Sequence, residues 1–239
     1  MDAHVPQRKG MAGLKPESVV ALALSKEEFN PACTLCPRLA QYLADCKANY
    51  PAHFAAPVPP FGQLSASLLV VGLAPGYHGA NRTGRPFTGD FCGDLLYQTL
   101  HRYGFASAPV SVAANDSLKL INCRVTNAVK CVPPENKPTP AEIRLCNNYL
   151  KNELRLHPPK VILALGLVAH EAVLIALGLK KSQFKFAHAA EHDLHGTGHP
   201  FMLMDSYHVS RYNTQTGRLT TPMFEQVVAR ARILTGLSQ

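Results

Sequence analysis

Tryptophan is absent from this 239-residue chain, and charged residues make up only 17% of it. The acidic sign is the scarcer one: 16 Asp and Glu stand against 24 Lys and Arg, leaving a formal charge of +8. Disorder of the whole chain is excluded, because 46% of the residues are hydrophobic and supply a sizeable core. The excess of positive charge favours a polyanionic partner such as nucleic acid or an acidic membrane surface. Long apolar runs are lacking too. The longest stretch, Val161 to Leu179, is broken by His170 and Glu171 and holds two glycines, so no membrane span is expected. The first twenty residues show no apolar core with a small-residue cleavage site, so no signal peptide is expected and the compartment is read as cytoplasmic. Thiols stay reduced there. The seven cysteines therefore read as metal or cluster ligands plus buried thiols, not as a disulfide framework.

What is present falls into a repeating order. Residues 1–30 are polar and aperiodic, and read as an arm with a short helix near Glu17–Leu24; the proline-rich stretch 51–62 reads as a connector. After it, apolar runs at Leu68–Leu73, Leu118–Val129, Val161–Leu165 and Phe201–Tyr207 read as strands. Between and after them, Gly93–Tyr103, Thr139 or Pro140 to Leu156, and Leu167–Leu179 read as helices. A last helix starts at Thr221-Pro222, with Phe224, Val227, Val228 and Ile233 turned inward. Strands that are apolar throughout and alternate with helices predict an α/β fold, a parallel sheet covered on both faces. In such sheets ligands bind beyond the carboxyl ends of the strands. Here those ends are Ala74–His78, Asn127–Cys131, Gly166 and His208–Arg211, where the sequence turns polar and glycine-rich.

Two features carry chemistry. Cys33 and Cys36 have the C-x2-C spacing that grips one metal centre, Cys131 follows the second strand, and Cys146 lies in the next helix. Four thiolates suit either zinc or an iron–sulfur cluster, and the spacing matches neither ferredoxin nor a compact zinc ribbon. Cys123 reads as a core thiol, and Cys46 and Cys92 remain unassigned. The second feature is GLAPGYHGANRTGRPFTGD, Gly72 to Asp90. It is neither G-x-G-x-x-G nor G-x-x-x-x-G-K-[ST], so dinucleotide and P-loop readings fail. Its glycines let backbone approach a ligand, and Phe87 is a flat apolar group suited to stacking on a base. Asp90, taken alone, reads as the cap of the helix that follows. Asn127 offers both a donor and an acceptor to a base edge. His208 stands where a strand gives out, ahead of a loop with Arg211 and Arg218.

Gly72–Asp90, TNAVKC (Thr126–Cys131) and HVSRYNTQTGRLT (His208–Thr220) together resemble the uracil-DNA glycosylase superfamily, and within it family 5. The resemblance runs from about Cys33 to the C-terminus. It implies a three-layer α/β/α sandwich with a four-stranded parallel sheet, with residues 1–30 as an arm and 31–239 as the catalytic domain. It also implies a structural [4Fe–4S] cluster on Cys33, Cys36, Cys131 and Cys146. The implied activity is that of a monofunctional glycosylase hydrolysing the N-glycosidic bond of uracil in DNA, with hypoxanthine and xanthine as wider substrates, at the start of base excision repair. The implied partner is double-stranded DNA bearing deaminated bases, with single-stranded DNA left open. A monomer is expected, bacterial or archaeal and nucleoid-associated through DNA.

Residue by residue, the resemblance makes Phe87 the ring that stacks on an extruded base, Asn127 its edge contact, and His208 the donor to its carbonyl. Asp90 stands for the carboxylate that family 5 uses in place of a polar first-motif residue; here Leu73 and Ala74 occupy those positions, and both are apolar. Gly72, Ala74, Gly76 and Tyr77 are implied substrate contacts, and Asn81, Arg82, Ser210, Arg211 and Asn213 implied DNA contacts. Val209 departs from the pattern, standing where proline often follows the histidine. No motif lysine reads as a Schiff-base nucleophile, and Lys130 reads as a phosphate contact or a solvated charge. The rival reading is a non-catalytic nucleic-acid-binding zinc or iron–sulfur protein. It gives no reason for the Gly72–Asp90 segment.

Overall fold

A computed structural model describes residues 29–237. The helix expected near Glu17–Leu24, and most of the 1–30 arm, lie outside the described residues.

Among the described residues, six strands form one sheet: β1 (Phe61–Gly62), β2 (Leu68–Gly72), β3 (Cys123–Asn127), β4 (Val161–Leu165), β5 (Glu191–Asp193) and β6 (Met202–Ser206). Their order across the sheet is β1-β3-β2-β4-β6-β5. The four central strands are parallel, with Leu68 opposite both Cys123 and Val161, and Val161 opposite Met202. β1 and β5 pair antiparallel at the two edges. The expectation of a four-stranded sheet is corrected to six. The four parallel strands are the ones their apolar runs announce, whereas edges of two and three residues are too short to carry a periodicity.

Among the described residues, seven α-helices accompany the sheet: α1 (Pro37–Asn49), α2 (Ala80–Thr83), α3 (Phe91–Arg102), α4 (Pro140–Leu156), α5 (Leu167–Leu177), α6 (Arg211–Gln215) and α7 (Thr221–Thr235). Successive strand residues point to opposite faces. Leu68, Val70, Val125, Leu163 and Met204 pack on one side against Leu96 and Leu100 of α3 and Phe224, Val227 and Val228 of α7. Leu69, Val71, Ile162, Ala164 and Leu203 pack on the other against Leu150 and Leu154 of α4 and Ala169 and Val173 of α5. The result is three layers. α1 covers a third apolar cluster, which contains Cys131, Cys146 and Tyr149.

The helix starts follow from their caps. Thr139 accepts from the Glu142 amide while the Glu142 side chain accepts from the Thr139 amide, closing a capping box at α4. Thr220, one residue before the expected start, caps α7. Ile233, expected inward, is 68% exposed. Two positions beyond Ala231, it falls on the far side of a helix whose inward stripe is Phe224, Val227, Val228 and Ala231.

One buried ion pair fixes the segment leading to the site. Arg85 is 4% exposed. Its guanidinium pairs with Asp116, donates to Ser111 Oγ at 2.7 Å and the Ala114 carbonyl at 2.9 Å, and lies 4.0 Å over the Phe61 ring. Burial by itself would raise the Asp116 carboxyl. The amides of Val112, Ala113 and Leu118, together with Arg85, instead hold it down at about 2. Tyr97 of α3 adds a second tie, donating its hydroxyl to the Pro86 carbonyl at 2.8 Å. Removing one partner of a buried pair strands the other charge, at a cost of about 3–5 kcal/mol. Asp116→Ala is accordingly expected to lower the unfolding free energy by about 3 kcal/mol or more, measured by urea titration; a loss within about 0.5 kcal/mol contradicts this account.

Candidate active site

β2 and β4 are neighbours, and the chain runs from β2 to β3 on one side and from β4 toward β5 and β6 on the other, so a crevice opens between their carboxyl ends. A cavity of about 280 Å³ occupies that end of the sheet. Leu73, Ala74 and Gly76 follow β2 into its wall, Asn127 ends β3, and His208 and Ser210 follow β6. Phe87 and Asp90 come from the segment fixed by Arg85, and Ala80, Cys92 and Asn136 complete the lining.

Phe87 is 7% exposed and has a φ of 56°, a backbone region that side chains with a Cβ rarely adopt. Gly72 makes room for it: a Cβ there would lie 2.4 Å from Phe87 Cζ and 2.5 Å from Asn127 Oδ1. The missing side chain thus seats the aromatic ring and the amide side by side. The Phe87 and His208 rings stand 6.2 Å apart between centroids, inclined at 31°.

Asp90 holds two positions at once. It is the N-cap of α3, with Oδ1 accepting from the Cys92 amide at 3.0 Å. Its other oxygen faces Gly76 and Gly79, where an added Cβ would come within 2.8 and 2.1 Å of Oδ2. Burial pushes this carboxyl above the usual range, against the opposing pull of the Cys92 and Gly93 amides. Both the cap and the cavity-wall readings of Asp90 therefore describe the same side chain. His208 is pushed down to about 4 by burial, so its imidazole is neutral near pH 7 and one ring nitrogen carries a donor hydrogen. Val209, wholly buried, anchors it from the next position, and Asn213 Nδ2 donates to the His208 carbonyl at 2.8 Å.

The other expected contacts divide. Ser210 lines the cavity and caps α6, accepting from the Asn213 amide. Arg211 is exposed on α6 beside Tyr212, which is 71% exposed. Arg82 is exposed, donates to the carbonyls of His78 and Gly89, and borders a neighbouring groove that shares Asp90. Three readings are corrected. Tyr77 is not among the residues lining the cavity; its ring packs among Tyr42, Tyr50, His53 and His78, beside α1. Asn81 is wholly buried, so its side chain has no surface to offer DNA. Lys130 is 2% exposed, and its ammonium donates to Thr126 Oγ1 and to the Asn127 carbonyl, so it is neither solvated nor open to a phosphate. Sequence reasoning missed Ala80, Cys92 and Asn136. Asn136 is delivered by a turn in which Glu135 and Asn136 both have positive φ, and the Pro-Pro-Glu-Asn-Lys-Pro string was its one signal.

A profile described as the uracil DNA glycosylase superfamily matches residues 59–232. A type-5 uracil-DNA glycosylase of Thermus thermophilus is 49% identical over 212 residues, covering 86% of this chain and 95% of that protein. This chain belongs to the uracil-DNA glycosylase superfamily, family 5. A type-5 enzyme of Pyrobaculum aerophilum is 40% identical over 203 residues, 83% of this chain and 87% of its own. A type-4 enzyme of the same organism is 34% identical over 122 residues, covering 51% of this chain and 55% of that one.

In this family 5 chain the four expected cysteine ligands share one pocket. Cys33 and Cys36 precede α1, Cys131 follows β3, Cys146 projects from α4, and Leu35, Leu39 and Tyr149 surround them. Arg38 of α1 grips Glu142 of α4 through two bonds of 2.8 and 2.7 Å, holding the first pair of thiols over the second. The Lys130 amide donates to Cys146 Sγ at 3.3 Å. Burial, with the other thiols adding to it, pushes Cys36 up to about 12 and raises Cys131 as well. Such a crowded, apolar set of sulfurs fits a cationic centre that takes thiolates.

The imidazole of His208 yields a pH test. The unfolded chain takes up this proton near pH 6.5 and the folded one only near 4, so its contribution to stability is complete above pH 6.5 and is lost on acidification toward pH 4. NMR titration of the folded chain is expected to place the His208 midpoint well below 6.5; a midpoint at or above that value removes the neutral-donor account.

Proposed function

We propose that this chain hydrolyses the N-glycosidic bond of uracil in DNA as a monofunctional glycosylase, opening base excision repair. The observation that carries this reading is the convergence of Phe87, Asp90, Asn127 and His208 on one cavity at the strand ends. A stacked base has to be extruded before its bond can be reached. Phe87 then stacks on the extruded ring and Asn127 pairs with its edge. Negative charge builds on the departing base, and the neutral imidazole of His208 donates a hydrogen bond to it, an electrostatic stabilisation that needs no proton transfer. Positive charge builds on the sugar. The Asp90 carboxylate faces it, orients a water molecule, and takes the proton as the water oxygen bonds to the carbon that the base leaves. Tyr212, exposed on α6 beside Arg211, is the group we assign to the gap left in the stack. The apolar Leu73 and Ala74 place no polar group where it would reject a larger ring, which supports hypoxanthine and xanthine as further substrates. Double-stranded DNA is the proposed partner, Arg82, Ser210 and Arg211 its proposed phosphate contacts, and residues 31–239 the proposed catalytic domain.

For the cysteine pocket we propose a [4Fe–4S] cluster, held by Cys33, Cys36, Cys131 and Cys146, that joins α1 to the end of β3. Sulfurs around a single zinc ion stand about 3.8 Å apart, given bonds of about 2.3 Å. Among the described residues, the donors drawn within 4.8 Å of one another do not include three of these sulfurs. Iron and acid-labile sulfide in equal amounts, with broad visible absorption, are expected in the purified protein. Zinc without sulfide favours the non-catalytic reading.

The decisive assay uses duplexes containing uracil, hypoxanthine or xanthine under single-turnover conditions. Asp90→Asn is expected to slow release of uracil by about 100-fold or more while duplex affinity changes little. In the natural chain the rate is expected to fall on acidification as Asp90 gains its proton above the ordinary carboxylate range. An Asp90→Asn rate close to that of the natural chain removes the assigned role.

A further inference from the structure

His170 of α5, His192 of β5 and Asp205 of β6 gather three metal-binding side chains that the glycosylase reading leaves unused. One ring nitrogen from each imidazole and an oxygen of the carboxylate lie within 4.8 Å of one another. His170 Nδ1 is 2.8 Å from Asp205 Oδ1, and His192 Nε2 is 3.1 Å from Oδ2. The carboxylate is wholly buried, the His170 side chain is 1% exposed and that of His192 14%.

Counting protons sharpens the question. His170 Nε2 lies 3.0 Å from the Phe184 carbonyl oxygen, which only accepts, so Nε2 carries a hydrogen. Nδ1 of the same ring then faces a carboxylate oxygen, and lone pair meets lone pair unless a positive centre lies between them. That centre is either a second proton, on the ring or on the carboxyl, or a metal ion. An imidazole whose far N–H is tied to a main-chain carbonyl has the orientation that metal-ligating histidines adopt. Nitrogen and oxygen ligands held tetrahedrally at about 2.0–2.2 Å from a zinc ion stand about 3.3–3.6 Å apart. The observed separations of 2.8 and 3.1 Å are hydrogen-bond distances, about 0.2–0.5 Å short of that range, so a small outward shift of the three side chains admits an ion. Two imidazoles and one carboxylate suit zinc or a neighbouring transition metal and not magnesium or calcium, which take oxygen ligands. His170 also borders a surface cavity of about 240 Å³ with Glu171, Phe184 and Phe186, which supplies a route in.

We propose that His170, His192 and Asp205 bind one divalent transition-metal ion, distinct from the centre at the cysteines. The ion staples α5 and the edge strand β5 to β6, three residues before His208. The full chain, titrated with Co2+, tests this. Cobalt on nitrogen and oxygen ligands gives weak visible bands without the strong near-ultraviolet absorption of cobalt on thiolates. The natural chain is expected to bind one equivalent of Co2+ or Zn2+ more than Asp205→Asn or His192→Gln, and Zn2+ is expected to raise its unfolding temperature but not theirs. His192→Gln, at a partly exposed position, serves if Asp205→Asn does not fold. Equal metal content in the natural chain and His192→Gln overturns the proposal. So does a doubly protonated His170 ring, seen by NMR in the presence of Zn2+.

Discussion

A carboxylate has two oxygens, and at Asp90 they are given different surroundings. One satisfies an amide that the start of α3 leaves without a helical partner. The other keeps open space in front of it because Gly76 and Gly79 contribute no side chains. The cap fixes the torsion of the whole group, so the second oxygen is aimed without needing a further bond. Burial keeps water from dispersing its charge. The cavity is arranged around this constraint. Arg85 and Tyr97 tie down the backbone before Asp90, and Gly72 lets Phe87 settle beside Asn127.

The fold was legible wherever burial on both faces left a continuous apolar run. The apolar run Val161–Leu165 has the limits of β4, and the runs Leu68–Leu73 and Phe201–Tyr207 match β2 and β6 within a residue at each end. The second run, Leu118–Val129, overruns β3, because Leu118 and Leu120 are core residues without being strand residues; apolar character reports burial before it reports backbone shape. The edges β1 and β5 were not legible, since an edge this short owes its conformation to its neighbour.

Much of the cavity was legible as well, because its residues cluster at strand ends that the alternation of elements already marks. Ala74, Gly76, Phe87, Asp90, Asn127, His208 and Ser210 meet there. The misreadings share one cause: a side chain's type does not disclose which way a loop turns it. Asn81 and Tyr77 stand in the same glycine-rich segment as Phe87 yet pack elsewhere, in the core and beside α1. Asn136 reaches the cavity from a turn far along the chain, a closeness only the folded backbone reveals.

Lys130 joins two regions that sequence treats as separate. Its amide holds a sulfur of the cysteine pocket, and its ammonium holds the carbonyl of Asn127 and the hydroxyl of Thr126. Six consecutive residues, Thr126 to Cys131, thus form a stiff spar with a thiol at one end and a cavity amide near the other. The backbone that leaves Asn127 in the cavity wall enters the cysteine pocket at Cys131, so the position of one is tied to the position of the other.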